Sequence, residues 1–330
     1  MHTELISNSA PAAIRDCLGP LMRRFSHTDQ ADRVLPSEAH GDLHIITGFG
    51  PTNAPTAGTL SVMLGIIELQ RRLQTEMTVI ISELGAWNSR NVPWQQLEAV
   101  RDQMSAFLRR IGLDESRCTL RSHLDFGNLA RAGKIARFLT RQDFLDNSES
   151  LLELYDSHGL LSSEIGITVD SLYTVADVLG PAETGTKNIL MVSGLEEAYF
   201  TELARLVLDR QQAADELSLG WEATIGALYF RVLEGLGGYP KMSKSIPASS
   251  IHLGMTADAL AEQVLSDDPA SQRPLLSAIE LASGWDETGL EMARSAYHDR
   301  GSEPKRWHKV KQSYLDDFVM FAEQWDHSAP

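Results

Sequence analysis

The chain has 330 residues, 45 of them acidic and 29 basic, for a formal charge of −16. That balance argues against a dedicated DNA or polyanion binder, because phosphate backbones are held by clustered Lys and Arg. With 43% apolar, 22% charged and 7% aromatic residues, the composition supports a buried core rather than a disordered chain, and the length suits about two domains.

No run approaches the roughly 20 apolar residues of a membrane span, and the first residues lack the basic start and apolar stretch of a secretory leader. A soluble, cytoplasmic protein with no membrane partner is the expectation. The two cysteines, Cys17 and Cys118, are too few for a disulfide framework or a zinc cluster. The ten histidines show no HExxH motif, and no metal site is expected.

In chain order, the first forty residues hold one helix and then the polar stretch SHTDQADR, which reads as a helical and loop extension over residues 1–40. Leu43 to Thr47 reads as a short buried strand. It runs into the loop GFGPTNAPTAG and then a helix in which Leu60, Met63, Leu64 and Ile67 share one face at i, i+3, i+4 and i+7. Met77 to Ser82 reads as the next strand, Pro93 to Leu113 as a helix, and CTLRS from Cys118 as a third strand. Helical material follows around RAGKIARFLTRQDFL. A helix near Val169 to Leu179, a strand over Asn188 to Ser193 and a helix from Glu196 to Arg210 complete the alternation. Strands alternating with helices of this length predict a parallel sheet covered on both faces, with ligands at the carboxyl ends of its strands. Beyond Ser245 only helices are expected, the clearest at Thr256 to Leu265, Pro274 to Ser283 and Tyr314 to Trp325. This divides the chain at 41–253 and 254–330.

The most specific string is Lys241-Met242-Ser243-Lys244-Ser245, preceded by Gly237-Gly238-Tyr239-Pro240. Two lysines three apart, with hydroxyls and nearby glycines, make a cationic, donor-rich loop suited to a polyphosphate. The pentapeptide matches the ATP loop of class I aminoacyl-tRNA synthetases letter for letter. The other half of that family's signature, His-x-Gly-His, belongs at the first strand-to-helix turn. Here that turn reads Gly48-Phe49-Gly50-Pro51-Thr52, then Thr56-Ala57-Gly58-Thr59: the glycine is kept and both histidines are threonine. The spacing of about 180 residues to Lys241 resembles the tryptophanyl and tyrosyl branch. Ser82 to Arg90 is similar to that family's Asp-x-His-Ala-x-Thr-x-Arg, with Glu83 for Asp and Gly85 for His. Val175-Ala176-Asp177-Val178-Leu179 and Gly194-Leu195-Glu196-Glu197 resemble its amino-acid-binding segments, and Ser249-Ser250-Ile251-His252-Leu253 fits the segment after the ATP loop.

The resemblance implies a Rossmann-type, HUP-like α/β sheet with helices on both faces and an all-helical C-terminal domain. It also implies ATP, with Mg²⁺ carried on the nucleotide, bound by Gly48, Phe49, Gly50, Pro51, Thr52, Gly58, Thr59, Met242, Ser243 and Ser245. Lys241, Lys244, Thr56 and Thr59 would then serve catalysis, and Glu83, Thr174, Asp177, Gly194, Glu196 and Glu197 would line the amino-acid pocket. Acidic residues at Glu196 and Glu197 also fit ordinary first-turn helix charge, and Asp177 fits either a binding role or a helix cap. Extra negative charge in the pocket suits an amino acid with an added cationic or hydrogen-bond-donating group.

Three readings follow. The first is a diverged paralog that makes aminoacyl-AMP for a specialised, secondary-metabolite pathway, with tRNA or a small molecule as acceptor. The second is a genuine tryptophanyl- or tyrosyl-tRNA synthetase, and the third an inactive binding protein. A homodimer is expected from the resemblance. Any tRNA contact on so acidic a chain would fall at Arg131 to Arg141 and at Arg300 to Lys311. Trp87, Trp94, Trp221, Trp285, Trp307 and Trp325 are expected as core or interface aromatics.

Overall fold

A computed structural model describes residues 4–5, 12–35, 42–89, 92–144, 164–242 and 246–329. One seven-stranded sheet contains β1 (Glu4–Leu5), β2 (Phe25–Asp29), β3 (Leu43–Phe49), β4 (Glu76–Ile81), β5 (Cys118–Ser122), β6 (Asn188–Ser193) and β7 (Thr224–Phe230). Their spatial order is β1-β2-β7-β6-β3-β4-β5. The five strands from β7 to β5 are parallel, and β2 joins β7 antiparallel, with β1 antiparallel on β2. The chain therefore builds outward from β3 to β4 and β5, then returns to the other side for β6 and β7. The reversal lies between β3 and β6, and there the carboxyl ends of the strands open a crevice.

The helices preceding the last helical stretch are α1 (Ala12–Leu18), α2 (Ala57–Leu73), α3 (Glu83–Ser89), α4 (Trp94–Arg110), α5 (Phe126–Ile135), α6 (Glu164–Glu183) and α7 (Ala198–Gln212). Leu60, Met63, Leu64 and Ile67 of α2 are all buried, as their spacing predicts. Strand β6 has the bounds read from the sequence, and β3 extends two residues past Thr47. The α/β expectation thus holds, with a mostly parallel sheet flanked by helices. No helix among the described residues is long and apolar enough to cross a membrane.

Strands β1, β2 and β7 fall outside the sequence reading. The polar stretch after Phe25 forms β2, because Ser26 and Thr28 find acceptors on the neighbouring strand and Asp29 finds a cation. Thr28 Oγ1 donates to Ala227 O at 3.3 Å, and Ser26 Oγ donates to Phe230 O at 3.2 Å. Asp29, 3% exposed, pairs with Arg205 Nη1 at 2.7 Å. Strand β7 carries Gly226, where a Cβ would stand 2.8 Å from Gln30 O, so the close approach of the chain after β2 requires a glycine inside an apolar strand.

Contacts divide the chain into two compact units: Met1–Thr52, Leu69–Arg101 and Asp114–Phe230 in one, and Asn53–Glu68, Asp102–Leu113 and Arg231–Pro330 in the other. The second unit ends in α8 (Ala257–Val264), α9 (Pro269–Leu281), α10 (Glu287–His298) and α11 (Pro304–Asp326). Side-chain caps start three of these helices: Thr256, Asp268 and Asp286 accept from the N–H groups of Ala259, Ala270 and Gly289, each contributing roughly 1 kcal/mol. Lys311 is fully buried and donates to Leu265 O, Ser266 O and Asp267 Oδ1. The basic cluster of Arg300 to Lys311 therefore spends one of its cations on internal packing, as Arg131 and Lys134 spend theirs on Glu183.

Candidate active site

In the first unit, the carboxyl ends of β3, β4, β5 and β6 bring together Gly48 to Thr52, Ser82 to Gly85, Ser122 to His123 and Ser193 to Glu197. Ser82 N donates to Phe49 O at 2.7 Å, which carries the β3–β4 pairing one step past the strands. Thr52 N donates to Gly50 O at 3.0 Å and turns the loop.

Glu83 opens α3 with no exposure. One carboxylate oxygen, Oε1, accepts from Ser122 Oγ and from Arg101 Nη1. Its other oxygen, Oε2, is buried and has no hydrogen-bond partner among the described residues. Burying such a group costs free energy unless something else satisfies it.

Helix α6 brings Asp170, Thr174 and Asp177 onto one face at i, i+4 and i+7. Asp177 lies in the middle of the helix, so it caps neither end. Arg121 Nη2 donates to its Oδ1, and His123 Nε2 stands 3.2 Å from its Oδ2. His123 is 1% exposed; its Nδ1 lies 2.7 Å from Ser82 Oγ and 3.7 Å from Asp170 Oδ1. Burial holds this imidazole at about 4, so it is neutral near pH 7. It separates two carboxylates without balancing their charge.

Two glycines make room for carboxylates. A Cβ on Gly85 would lie 2.7 Å from Asp170 Oδ1, and one on Gly194 would lie 2.5 Å from Glu196 Oε2. Gly85 thus leaves space that Asp170 fills. Desolvation, then the charge of Asp177, pushes Asp170 up to about 7. Desolvation, then Glu196 and Asp170, pushes Glu197 up to about 8. Burial also raises Asp177, with Arg121 working against it. Thr174 turns its hydroxyl to its own helix, donating to Asp170 O at 3.0 Å.

These shifts set a pH dependence for the unliganded protein. From about pH 4, where free carboxyls titrate, to pH 7–8, the folded state holds more protons at Asp170 and Glu197 than the unfolded state does. Their contribution to stability is full below pH 4 and is lost as pH rises through 7 to 8. The melting temperature is expected to be lower at pH 8 than at pH 6.5, and Asp170→Asn with Glu197→Gln to flatten that difference. Thermal melts at the two pH values check this.

In the second unit, Thr56 (5% exposed) stands immediately before α2, where its Oγ1 accepts from Thr59 N and lies 3.3 Å from Thr59 Oγ1. Gly58 follows with Thr56 Oγ1 3.5 Å from where its Cβ would be. The two threonines face each other in one turn. Lys241 is exposed, while Met242 is buried and donates its N–H to Leu233 O at 3.1 Å. Gly235 fixes the base of this loop, since a Cβ there would lie 2.7 Å from Lys241 O. Gly237 and Gly238 adopt φ of 65° and 82°, which favours glycine. Ser243, Lys244 and Ser245 lie outside the described residues. Among the described residues no group of His, Cys, Asp and Glu forms a metal site.

Sequence reasoning did not single out Arg121, His123 or Asp170. Asp170 had a signal available, since it lies seven residues before Asp177 on one helix. Arg121 and His123 had none, because only the pairing of β5 beside β4 brings them to the site.

A Rossmann-type sheet with its reversal at β3 and β6, followed by a helical region, is the fold of class I aminoacyl-tRNA synthetases. No family model matches the sequence, and no curated protein does. Among solved structures, the tryptophanyl-tRNA synthetase of Aeropyrum pernix K1 superposes with a TM-score of 0.75 at 17% identity, covering 99% of this chain and 92% of that one. The tryptophan-bound enzyme of Encephalitozoon cuniculi gives 0.74 at 16% identity, with 99% and 92% covered. Tyrosyl-tRNA synthetase of Archaeoglobus fulgidus, complexed with L-tyrosine, gives 0.69 at 17% identity, with 96% and 99% covered. At such identities the likeness establishes a shared fold.

Proposed function

We propose that the protein activates an amino acid with ATP, forming aminoacyl-AMP and pyrophosphate, as a diverged relative of the tryptophanyl and tyrosyl synthetases. The KMSKS sequence, carried on a fold that aligns with those enzymes over nearly the whole chain, carries this reading. The amino-acid carboxylate attacks the α-phosphorus, a carboxyl O–P bond forms, and the bond to the bridging oxygen of pyrophosphate breaks. A carboxylate nucleophile needs no general base. The chain's task is to orient the reactants and stabilise charge on the leaving pyrophosphate, which falls to Lys244 with Lys241, Ser243 and Ser245 beside it. Mg²⁺ enters on the nucleotide.

The substrate is an amino acid with a second cationic or donating group. Arg121 is committed to Asp177 and Arg101 to Glu83, while burial raises the carboxyls of Asp170 and Glu197, with the charge of Asp177 adding to the first and those of Glu196 and Asp170 to the second. One α-ammonium group answers only part of that charge. Substrates of this type favour the ionised carboxylates, so their affinity is expected to rise between pH 6 and pH 8, by up to about tenfold per pH unit for each proton released. Calorimetry in buffers of different ionisation enthalpy measures that proton release. A specialised pathway, with tRNA or a small molecule as acceptor, fits the altered pocket and the two threonines. Trapping the adenylate with hydroxylamine, over a panel of amino acids and related amines, tests the reaction. A hydroxamate with a diamino acid supports it, and none with any amino acid overturns it. Charging of total tRNA then assigns the acceptor.

A further inference from the structure

We infer that His252 contacts the phosphates of ATP and supplies the imidazole that the first turn of α2 lacks; this rests on the adenylation reading above. Thr56 and Thr59 are neutral donors, and a leaving pyrophosphate calls for a stronger one. The chain supplies it from the other side of a β-bridge within the second unit.

Thr56 and His252 are partners in an isolated antiparallel bridge. Ala57 N donates to Ile251 O at 2.9 Å, and Leu253 N donates to Pro55 O at 2.9 Å. These bonds flank the Thr56–His252 pair rather than joining it, which makes it a non-hydrogen-bonded pair, the closer of the two antiparallel arrangements, with Cα atoms roughly 4.5 Å apart. Side chains directly opposite in such a pair rise on the same face. The register therefore sets the imidazole of His252 beside the hydroxyl of Thr56.

The same face continues to Ala54 and Gly254. A Cβ on Gly254 would lie 3.1 Å from Ala54 Cβ and 3.5 Å from His252 Nδ1. The ring thus lies over a glycine, with alanine, glycine and threonine as its neighbours on the face. His252 is half-buried and Thr56 buried, so His252 is the more exposed member of this pair. Two residues on, Gly254 would lose the ring's resting place if it carried a side chain.

The experiment exchanges the imidazole across the bridge. Amino-acid-dependent pyrophosphate exchange is measured for the wild type, His252→Ala, His252→Gln and the pair His252→Ala/Thr56→His, with thermal melts to show that each variant is folded. His252→Ala is expected to lower kcat about 10²–10³-fold, the effect of losing one transition-state donor, with little change in KM for the amino acid. Thr56→His in that background is expected to restore most of the loss, because the two positions share one face. A structural role for His252 predicts no such rescue. Wild-type kcat in His252→Ala, or a loss that Thr56→His leaves untouched, overturns the inference while leaving adenylation standing. No exchange by the wild type overturns the adenylation reading. Calorimetric titration with inorganic pyrophosphate then decides the contact by itself: weaker binding to His252→Gln than to the wild type supports it, and equal binding overturns it.

Discussion

Lys244→Ala is expected to lower the rate of adenylate formation about 10²–10³-fold, with a modest loss of ATP affinity. Negative charge on the departing pyrophosphate grows as the α-phosphorus bond breaks, so a cation placed there binds the transition state more tightly than the ground state. Its loss therefore falls on kcat rather than KM. Lys241, three residues away, provides a control, since a loop acting only through net charge would respond equally to either substitution. Unchanged turnover in Lys244→Ala would remove this loop from the chemistry. The threonines supply the converse test. Thr56→His with Thr59→His is expected to raise the rate if these residues are weak stand-ins, and the gain is expected to be larger when His252 is absent.

Arg121→Leu has the largest expected effect on stability. It leaves Asp177, whose side chain is 4% exposed, without its guanidinium. Breaking such a pair costs about 3–5 kcal/mol when the remaining charge stays ionised. Burial raises the Asp177 carboxyl and Arg121 holds it down, so the variant's carboxyl keeps its proton to higher pH than the wild type's, and the stability gap between the two widens as pH rises. The loss in urea-denaturation stability is therefore expected to be larger at pH 8 than at pH 6. Arg121→Leu with Asp177→Leu is expected to cost less than the two single substitutions added together, because the second removes the carboxyl that the first strands. Equal losses at both pH values, or strict additivity, would mean that the pair is not an ion pair in the folded protein.

Strands β3, β4 and β6, inside the parallel sheet, were legible as short apolar runs, because burial on both faces leaves no polar alternation. Strand β2 was not, since its polarity is satisfied by particular distant partners: Arg205 for Asp29 and the β7 backbone for Ser26 and Thr28. Helix α3 escaped because seven residues give too little periodicity, and α10, within the expected helical region, is not among its clearest helices because its buried face includes the small residues Ala293 and Ala296 beside Leu290. The site divides the same way. Glu83, Asp177, Glu196 and Glu197 stand in contiguous strings that resemble known ones. Asp170 shares a helix face with Asp177, Arg121 and His123 come in only through the sheet order, and His252 meets Thr56 only through a bridge between segments far apart in sequence.

The central claim is that this chain joins an amino acid to AMP. Amino-acid-dependent exchange of labelled pyrophosphate into ATP, scanned over the standard amino acids and over diamino acids, tests it most directly. Exchange that depends on an amino acid with a second amino group, and that collapses in Lys244→Ala, is the predicted result. No exchange with any amino acid, together with no calorimetric binding of ATP, would contradict it.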